Sequence, residues 1–237
     1  MTCGDCRFVD EFELIRRCFR DRATRHPGTV LGIGDDAALL DTGGVPLAHA
    51  RATVPFSSRD DAAGTARRAF GSAFVRLAVH AVAPRWATLG LTFDLDDPDW
   101  IESFAAAAAA VCGACGVELI GGDTTRGPGR ATVFALGTTS TLPRETMASP
   151  RAGTVEARLP LATDHAPMGA IAELVSACTN LAARGAELRC DDAVSTSDDV
   201  RAGGMVLVAR SDSAGIDALR AVTGLLRPEP GRRESHD

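Results

Sequence analysis

Apolar and polar positions along the chain follow two rhythms. Phe70, Phe74 and Leu77 recur at helical spacing, and Ser57-Ser58-Arg59-Asp60-Asp61 supplies the N-cap and first-turn acids for a helix reaching about Val82, with Pro84 beyond its end. Asp97-Pro98 opens a second helix, which carries Trp100, Ile101 and Phe104 into a run of alanines and stops at Gly116. Alanine is the best helix former and lets neighbouring elements approach closely. Phe12, Ile15 and Phe19 keep the same spacing across Glu11–Phe19, with acids first and arginines later, as the helix dipole favours. Val30–Ile33 is a short apolar approach to a glycine loop, and apolar or alternating runs predict strands at Leu47–Val54, Trp86–Leu95, Val117–Ile120 and Ala131–Thr139. The order is strand, helix, strand, helix, strand, strand. It predicts an α+β fold, a mixed sheet covered on one face by helices.

The pattern changes at Pro143, where Pro150, Gly153, Pro160 and Pro167 mark a connecting region. A helix over 168–183, a strand over 185–189, a polar loop over 191–199, a strand over 205–209 and a helix over 213–226 are expected after it, and the tail from Arg227 reads as disordered. This divides the chain into an N-terminal domain, residues 1–142, and a short C-terminal α+β domain, residues 143–237. The second has few aromatic side chains and is expected to rely on the first for burial.

Composition narrows the function classes. The 237 residues carry a net charge of −6, which argues against nucleic-acid binding through a general basic surface. Every base other than histidine is arginine, so a lysine Schiff base and a lysine phosphate loop are excluded, and the absence of tyrosine removes a tyrosine nucleophile. No apolar run is long enough to span a membrane, and acids stand where a signal peptide would be basic and apolar, so a cytoplasmic protein is expected. Seven cysteines, an odd and scattered set, read as reduced thiols. Cys3/Cys6 and Cys112/Cys115 are CxxC pairs. Together they would make a four-thiolate zinc site, although the second pair lies in a helical pattern without a knuckle-like turn. His49 and His80 are solitary, Trp86 and Trp100 read as packing anchors, and the Asp191/Asp192 and Asp198/Asp199 pairs read as a solvated acidic turn.

Chemistry is concentrated in two acidic glycine segments. In Leu119–Pro128 an apolar run breaks into Gly121, Gly122, Asp123, Thr124, Thr125 and Arg126. The glycines free the backbone for positive φ and close ligand approach, Asp123 can hold a hard cation through oxygen, and Arg126 can grip a phosphate with two parallel hydrogen bonds. Upstream, Gly32-Ile33-Gly34-Asp35-Asp36 offers two more carboxylates. Paired acidic loops suit magnesium and nucleotide phosphates in a chain without a phosphate-binding lysine.

Glu11–Ile15, Leu31–Leu40, Pro84–Leu89 and the string Ile120–Pro128 together resemble the thiamine-monophosphate kinases, a family of the aminoimidazole ribonucleotide synthetase superfamily. The similarity covers about residues 11–142 in a consistent order. It implies ATP and Mg²⁺ as cofactors, metal ligation by Asp35, Asp36 and Asp123, and nucleotide contacts from Gly121, Gly122, Asp123, Thr124 and Arg126. Asp123 and Arg126 would be the catalytic pair. It also implies a homodimer whose N-terminal sheets meet in a barrel-like interface, and in-line transfer of a phosphoryl group to thiamine monophosphate. Three family acids are replaced, by Ala52, Arg76 and Ala172. Their loss opens an alternative, a catalytically impaired relative that binds nucleotide or serves as a dimer partner. Arg76 is then expected to fill the space of a lost metal and to pair with Asp123 or with a phosphate.

Overall fold

The computed structural model describes residues 16, 18–22, 25–31, 33, 39–57, 59–93, 97–139, 153–192 and 205–226. A small antiparallel hairpin, β1 (Thr29–Leu31) and β2 (Leu39–Leu40), precedes the main sheet. That sheet contains β3 (Leu47–Pro55), β4 (Trp86–Phe93), β5 (Glu118–Arg126) and β6 (Arg130–Thr138) in the order β3-β6-β4-β5. Two helices connect its strands, α1 (Ala62–Ala78) and α2 (Pro98–Cys115). Because α2 carries the chain from β4 back to the start of β5, those two strands run parallel, and the remaining pairs are antiparallel.

Local chemistry sets the helix ends. The Asp61 carboxylate accepts from the main-chain N–H groups of Ala63 and Gly64 at 3.2 and 2.7 Å and starts α1, while Asp60 turns back to accept from Ser57 N at 2.7 Å. Asp97 caps α2 through Asp99 N and Trp100 N, and Gly116 ends it in the left-handed conformation, φ 66°. The expected helix to about Val82 is shorter, closing at Ala78. The expected helix over Glu11–Phe19 lies largely outside the described residues.

One face of the main sheet is covered. Ala52, Val54, Ala87, Leu89, Leu91, Ala131, Val133 and Ala135 are buried beneath α1 and α2. Their small size lets Phe70, Phe74 and Phe104 of the helices settle close to the strands, where they are fully buried. On the other face Thr53 is exposed, and Thr88, Thr132, Phe134 and Leu136 are only partly covered.

The C-terminal part adds a three-stranded antiparallel sheet, β7 (Val155–Leu161), β8 (Glu187–Asp192) and β9 (Met205–Ser211), ordered β7-β9-β8. Its helices are α3 (Met168–Ala183) and α4 (Ser213–Leu225). Strand β7 corrects the expectation of a bare connection: Pro160 stands within it, and an edge strand tolerates proline because one side of its backbone has no neighbour to bond. Likewise Asp191 and Asp192 end β8 instead of opening a loop, and Asp191 is paired with Arg189 at 3.0 Å and Arg158 at 3.6 Å. Helix α3 packs on both α1 and α2, with Ile171 and Thr163 against Gly71, so one hydrophobic cluster runs from Phe56 to Leu219. Arg67 reinforces the seam by donating from Nε to Asp164 O at 2.6 Å. Among the described residues no helix is long and apolar enough to cross a membrane.

Candidate functional site

The glycine-rich segment expected as a loop is strand. β5 stays paired with β4 through Gly121, Gly122, Asp123, Thr124 and Thr125 as far as Arg126 opposite Phe93. A one-residue bulge at Ile120, between the Leu119/Ala87 and Gly121/Thr88 pairs, resets the register before the glycines. The two glycines then differ sharply. A Cβ on Gly122, whose φ is 157°, would lie 1.9 Å from Leu89 O, whereas a Cβ on Gly121 would meet nothing within 4 Å. Gly122 is small to let its own sheet close, and Gly121 leaves open space above the strand.

Register decides what faces what. Thr53, Thr132, Gly90 and Asp123 form one row across the four strands, and Pro55, Arg130, Thr92 and Thr125 form the row two residues on. These rows belong to the open face, where the Thr53 and Thr132 hydroxyls are 3.1 Å apart and those of Thr92 and Thr125 are 2.9 Å apart. Asp123 is therefore an exposed carboxylate on a threonine-lined surface. Arg126, three residues along, leaves the strand on the opposite side with the parity of Leu91 and Thr124. The structure thus places both residues exposed near the end of one edge strand but does not bring them onto one face.

Arg76 and Asp123 form no ion pair. Arg76 lies half-buried in the last turn of α1, on the helix-covered side of the sheet, while Asp123 lies on the other side. Ala52 is also on the helix side, on β3, the edge opposite to β5, so three strand spacings, about 14 Å, separate its position from that of Asp123. Ala172 belongs to α3, which packs on α1. The three positions without acids therefore sit on elements gathered behind the sheet. Asp35 and Asp36 lie outside the described residues.

The remaining candidates have structural partners or open exposure. Trp100 is stacked between Phe56 and Phe104 at centroid distances of 4.6 and 5.4 Å and donates to Asp60 O at 3.0 Å. His49 and His80 are exposed. Among the described residues no group of three or more histidine, cysteine or acidic side chains converges as a metal site. Burial pushes the Cys115 thiol up from 9.0 to about 12, and burial together with the nearby Cys115 pushes Cys112 up, so both thiols are protonated at neutral pH. Cys3 and Cys6 lie outside the described residues.

One buried acid was passed over in reading Val117–Ile120 as an apolar strand. Glu118 is 2% exposed, and its Oε2 accepts from His26 N and from Thr29 Oγ1, both at 2.5 Å. Trp86 Nε1 donates in turn to Thr29 Oγ1 at 2.9 Å. The available signal was a single charge inside an otherwise apolar run, which demands a compensating donor set.

The AIR synthase related protein N-terminal domain family matches residues 34–142. The chain is 37% identical over 136 residues to thiamine-monophosphate kinase of Escherichia coli K12, an overlap of 54% of this chain and 39% of that protein. The chain therefore spans about two fifths of the length of that relative. In fold it is similar to the crystal structure of thiamine-monophosphate kinase from Stenotrophomonas maltophilia K279a, with a TM-score of 0.63 and 22% identity, covering 91% of this chain and 90% of that one. It is likewise similar to the hydrogenase maturation protein HypE in complex with ATP, with a TM-score of 0.57 and 16% identity, covering 89% of this chain and 80% of that one. These likenesses establish an AIR synthase-like α+β fold.

Proposed function

We infer that this chain, which belongs to the thiamine-monophosphate kinase family as a divergent member, catalyses ATP-dependent phosphoryl transfer to thiamine monophosphate, giving thiamine diphosphate and ADP. The observation that carries this reading is the Ile120–Pro128 string within residues 34–142, which the AIR synthase related protein N-terminal domain family matches, presenting Asp123 as an exposed carboxylate on the open sheet face. In the reaction a phosphate oxygen of thiamine monophosphate forms a bond to the γ-phosphorus of ATP as the bond to the bridging oxygen of ADP breaks.

A carboxylate that forms no ion pair among the described residues, bordered by the Thr92 and Thr125 hydroxyls, is a suitable oxygen donor for Mg²⁺, which keeps most of its water and takes one or two acids beside substrate phosphates. When bound, the metal neutralises phosphate charge. Asp123 would hold it, with Asp35 and Asp36 as further ligands, and the Gly121 backbone leaves room above the strand for the nucleotide. Arg126, directed to the other side of the strand, would serve a second phosphate group.

The test is thiamine diphosphate formation from ATP, Mg²⁺ and thiamine monophosphate. Product is expected from the wild type and is expected to fall by about a hundredfold or more in Asp123→Ala, the scale on which charge stabilisation contributes to catalysis. ATP binding without product would instead support an impaired relative, a reading favoured by the absence of acids at Ala52, Arg76 and Ala172. Neither binding nor product would remove both.

The same reading includes two domains, residues 1–142 for nucleotide and dimerisation and 143–237 as a shorter partner, and a homodimer joined through the open sheet face. Phe134 and Leu136, partly exposed beside Leu47 at 44% exposure, supply apolar area there. Light scattering is expected to give twice the chain mass for the wild type and the single-chain mass for Phe134→Arg. A monomeric wild type would sink the dimer.

A further inference from the structure

Strand register puts a second charge on the face that carries Asp123. Arg130 opens β6 and is held on both flanks, by pairing with Pro55 of β3 and with Thr92 of β4. Thr92 pairs in turn with Thr125 of β5. The next residue, Ala131, is fully buried beneath the helices, so the two-residue period of a strand sets Arg130 on the open face, one row from Thr132, Gly90 and Asp123. Arg130 and Asp123 are both exposed, and among the described residues neither forms an ion pair.

The ground between them is open. Two strand spacings across and two residues along separate their main chains by about 12 Å. Gly90 stands in the Asp123 row, and a Cβ built on it would meet only Thr132, at 3.9 Å, while a Cβ on Gly121 would meet nothing within 4 Å. The floor therefore rises nowhere between the carboxylate and the guanidinium. Metal–oxygen contacts of about 2.1 Å and guanidinium–oxygen contacts of about 2.8 Å allow a cation and one phosphate group to fill that interval in line.

The backbone under Arg130 is fixed before any ligand arrives. Phe56 N donates to Gly129 O at 3.0 Å, a Cβ on Gly129 would overlap Phe56 O, and Gly127 N donates to Phe93 O at 3.2 Å at the other end of the turn. Arg126 differs on both counts, because it ends the edge strand β5 and has the parity of the other side.

We propose that Arg130 is a phosphate-binding residue, its guanidinium taking the oxygens of the phosphate group whose charge Asp123 shares through a cation. The assignment deepens the phosphoryl-transfer reading and rests on it. Asp123 repels a bare phosphate and reaches it only through a metal, whereas the arginine fork binds the same oxygens directly, so the two hold one group from opposite sides.

Calorimetric titration of the full chain with ATP, in the presence and absence of Mg²⁺, tests this. Arg130→Ala is expected to weaken ATP binding about ten- to a hundredfold, the worth of a hydrogen-bonded charge, and Arg130→Lys to recover part of the loss. Arg184→Ala removes the same charge from the exposed end of α3 and is expected to leave ATP binding unchanged. Without Mg²⁺ the penalty of Asp123→Ala is expected to vanish while that of Arg130→Ala persists, which separates the metal-mediated contact from the direct one. Arg130 is exposed, so the unfolding midpoints of both Arg130 variants should stay at the wild-type value. If the alanine variant does not fold, the lysine variant carries the comparison through its partial loss of ATP affinity at a wild-type midpoint. Undiminished ATP binding by Arg130→Ala, an equal loss in Arg184→Ala, or lost binding that tracks a lowered midpoint would each overturn the assignment and leave the phosphoryl-transfer reading standing. A wild type that binds no ATP overturns both.

Discussion

Alanine at Gly122 is expected to lower the unfolding free energy by about 3 kcal/mol or more, whereas alanine at Gly121 should leave it nearly unchanged. The added methyl at Gly122 would lie 1.9 Å from Leu89 O and 2.8 Å from Leu89 C, well inside contact distance. Both atoms belong to the backbone of β4, so relief requires separating β5 from β4, the parallel pair that joins the edge strand to the sheet. Gly121 has no atom within 4 Å of the same construction, and strand backbone accepts alanine there. For a chain of this size the Gly122 effect corresponds to a fall of about 6–12 °C in melting temperature. Urea unfolding followed by circular dichroism measures both variants against the wild type. Equal midpoints for the two would refute the packing account and return Gly122 to a purely ligand-facing role.

Truncating Ile171 to alanine is expected to cost about 2–5 kcal/mol and to move the unfolding of the whole chain. Ile171 is fully buried on α3 and reaches across the seam, where its Cγ2 lies 3.5 Å from a Cβ built on Gly71 of α1. The tryptophans make the coupling measurable. Trp86 and Trp100 both lie in the N-terminal part and the chain has no tyrosine, so intrinsic tryptophan fluorescence reports the main sheet and α2. If the core is continuous, a deletion in α3 shifts the fluorescence midpoint as far as the circular dichroism midpoint. A fluorescence transition that stays at the wild-type position while the ellipticity becomes biphasic would show that the two sheets unfold separately.

Much of the fold was legible because its signals are local. Asp97-Pro98 and Gly116 mark the two ends of α2 through chemistry within a few residues, and the α3 expectation over 168–183 coincides with the helix found. Strand β7 was obscured because proline and glycine around it imitate a linker, and only its place at a sheet edge makes Pro160 acceptable. The glycines of β5 misled for a related reason. Paired glycines suggest a turn, but the feature that selects glycine at position 122 is the Leu89 carbonyl, 33 residues away in sequence and adjacent only after the parallel pairing forms.

By itself the sequence determined the likeness to the thiamine-monophosphate kinases, the order of the helices and strands between Leu47 and Thr139, and the presence of acidic segments around Asp35, Asp36 and Asp123, since each is written in contiguous residues. Tertiary structure alone decided that Asp123 shares the open face with Thr53 and Thr132 while Arg126 leaves by the other, that Arg76 stands behind the sheet from Asp123, and that Glu118 is held by the turn before β1. The physical reason is the two-residue period of a strand: one bulge at Ile120 exchanges the faces of every residue after it, and nothing local to that stretch announces the partner strand that sets the register.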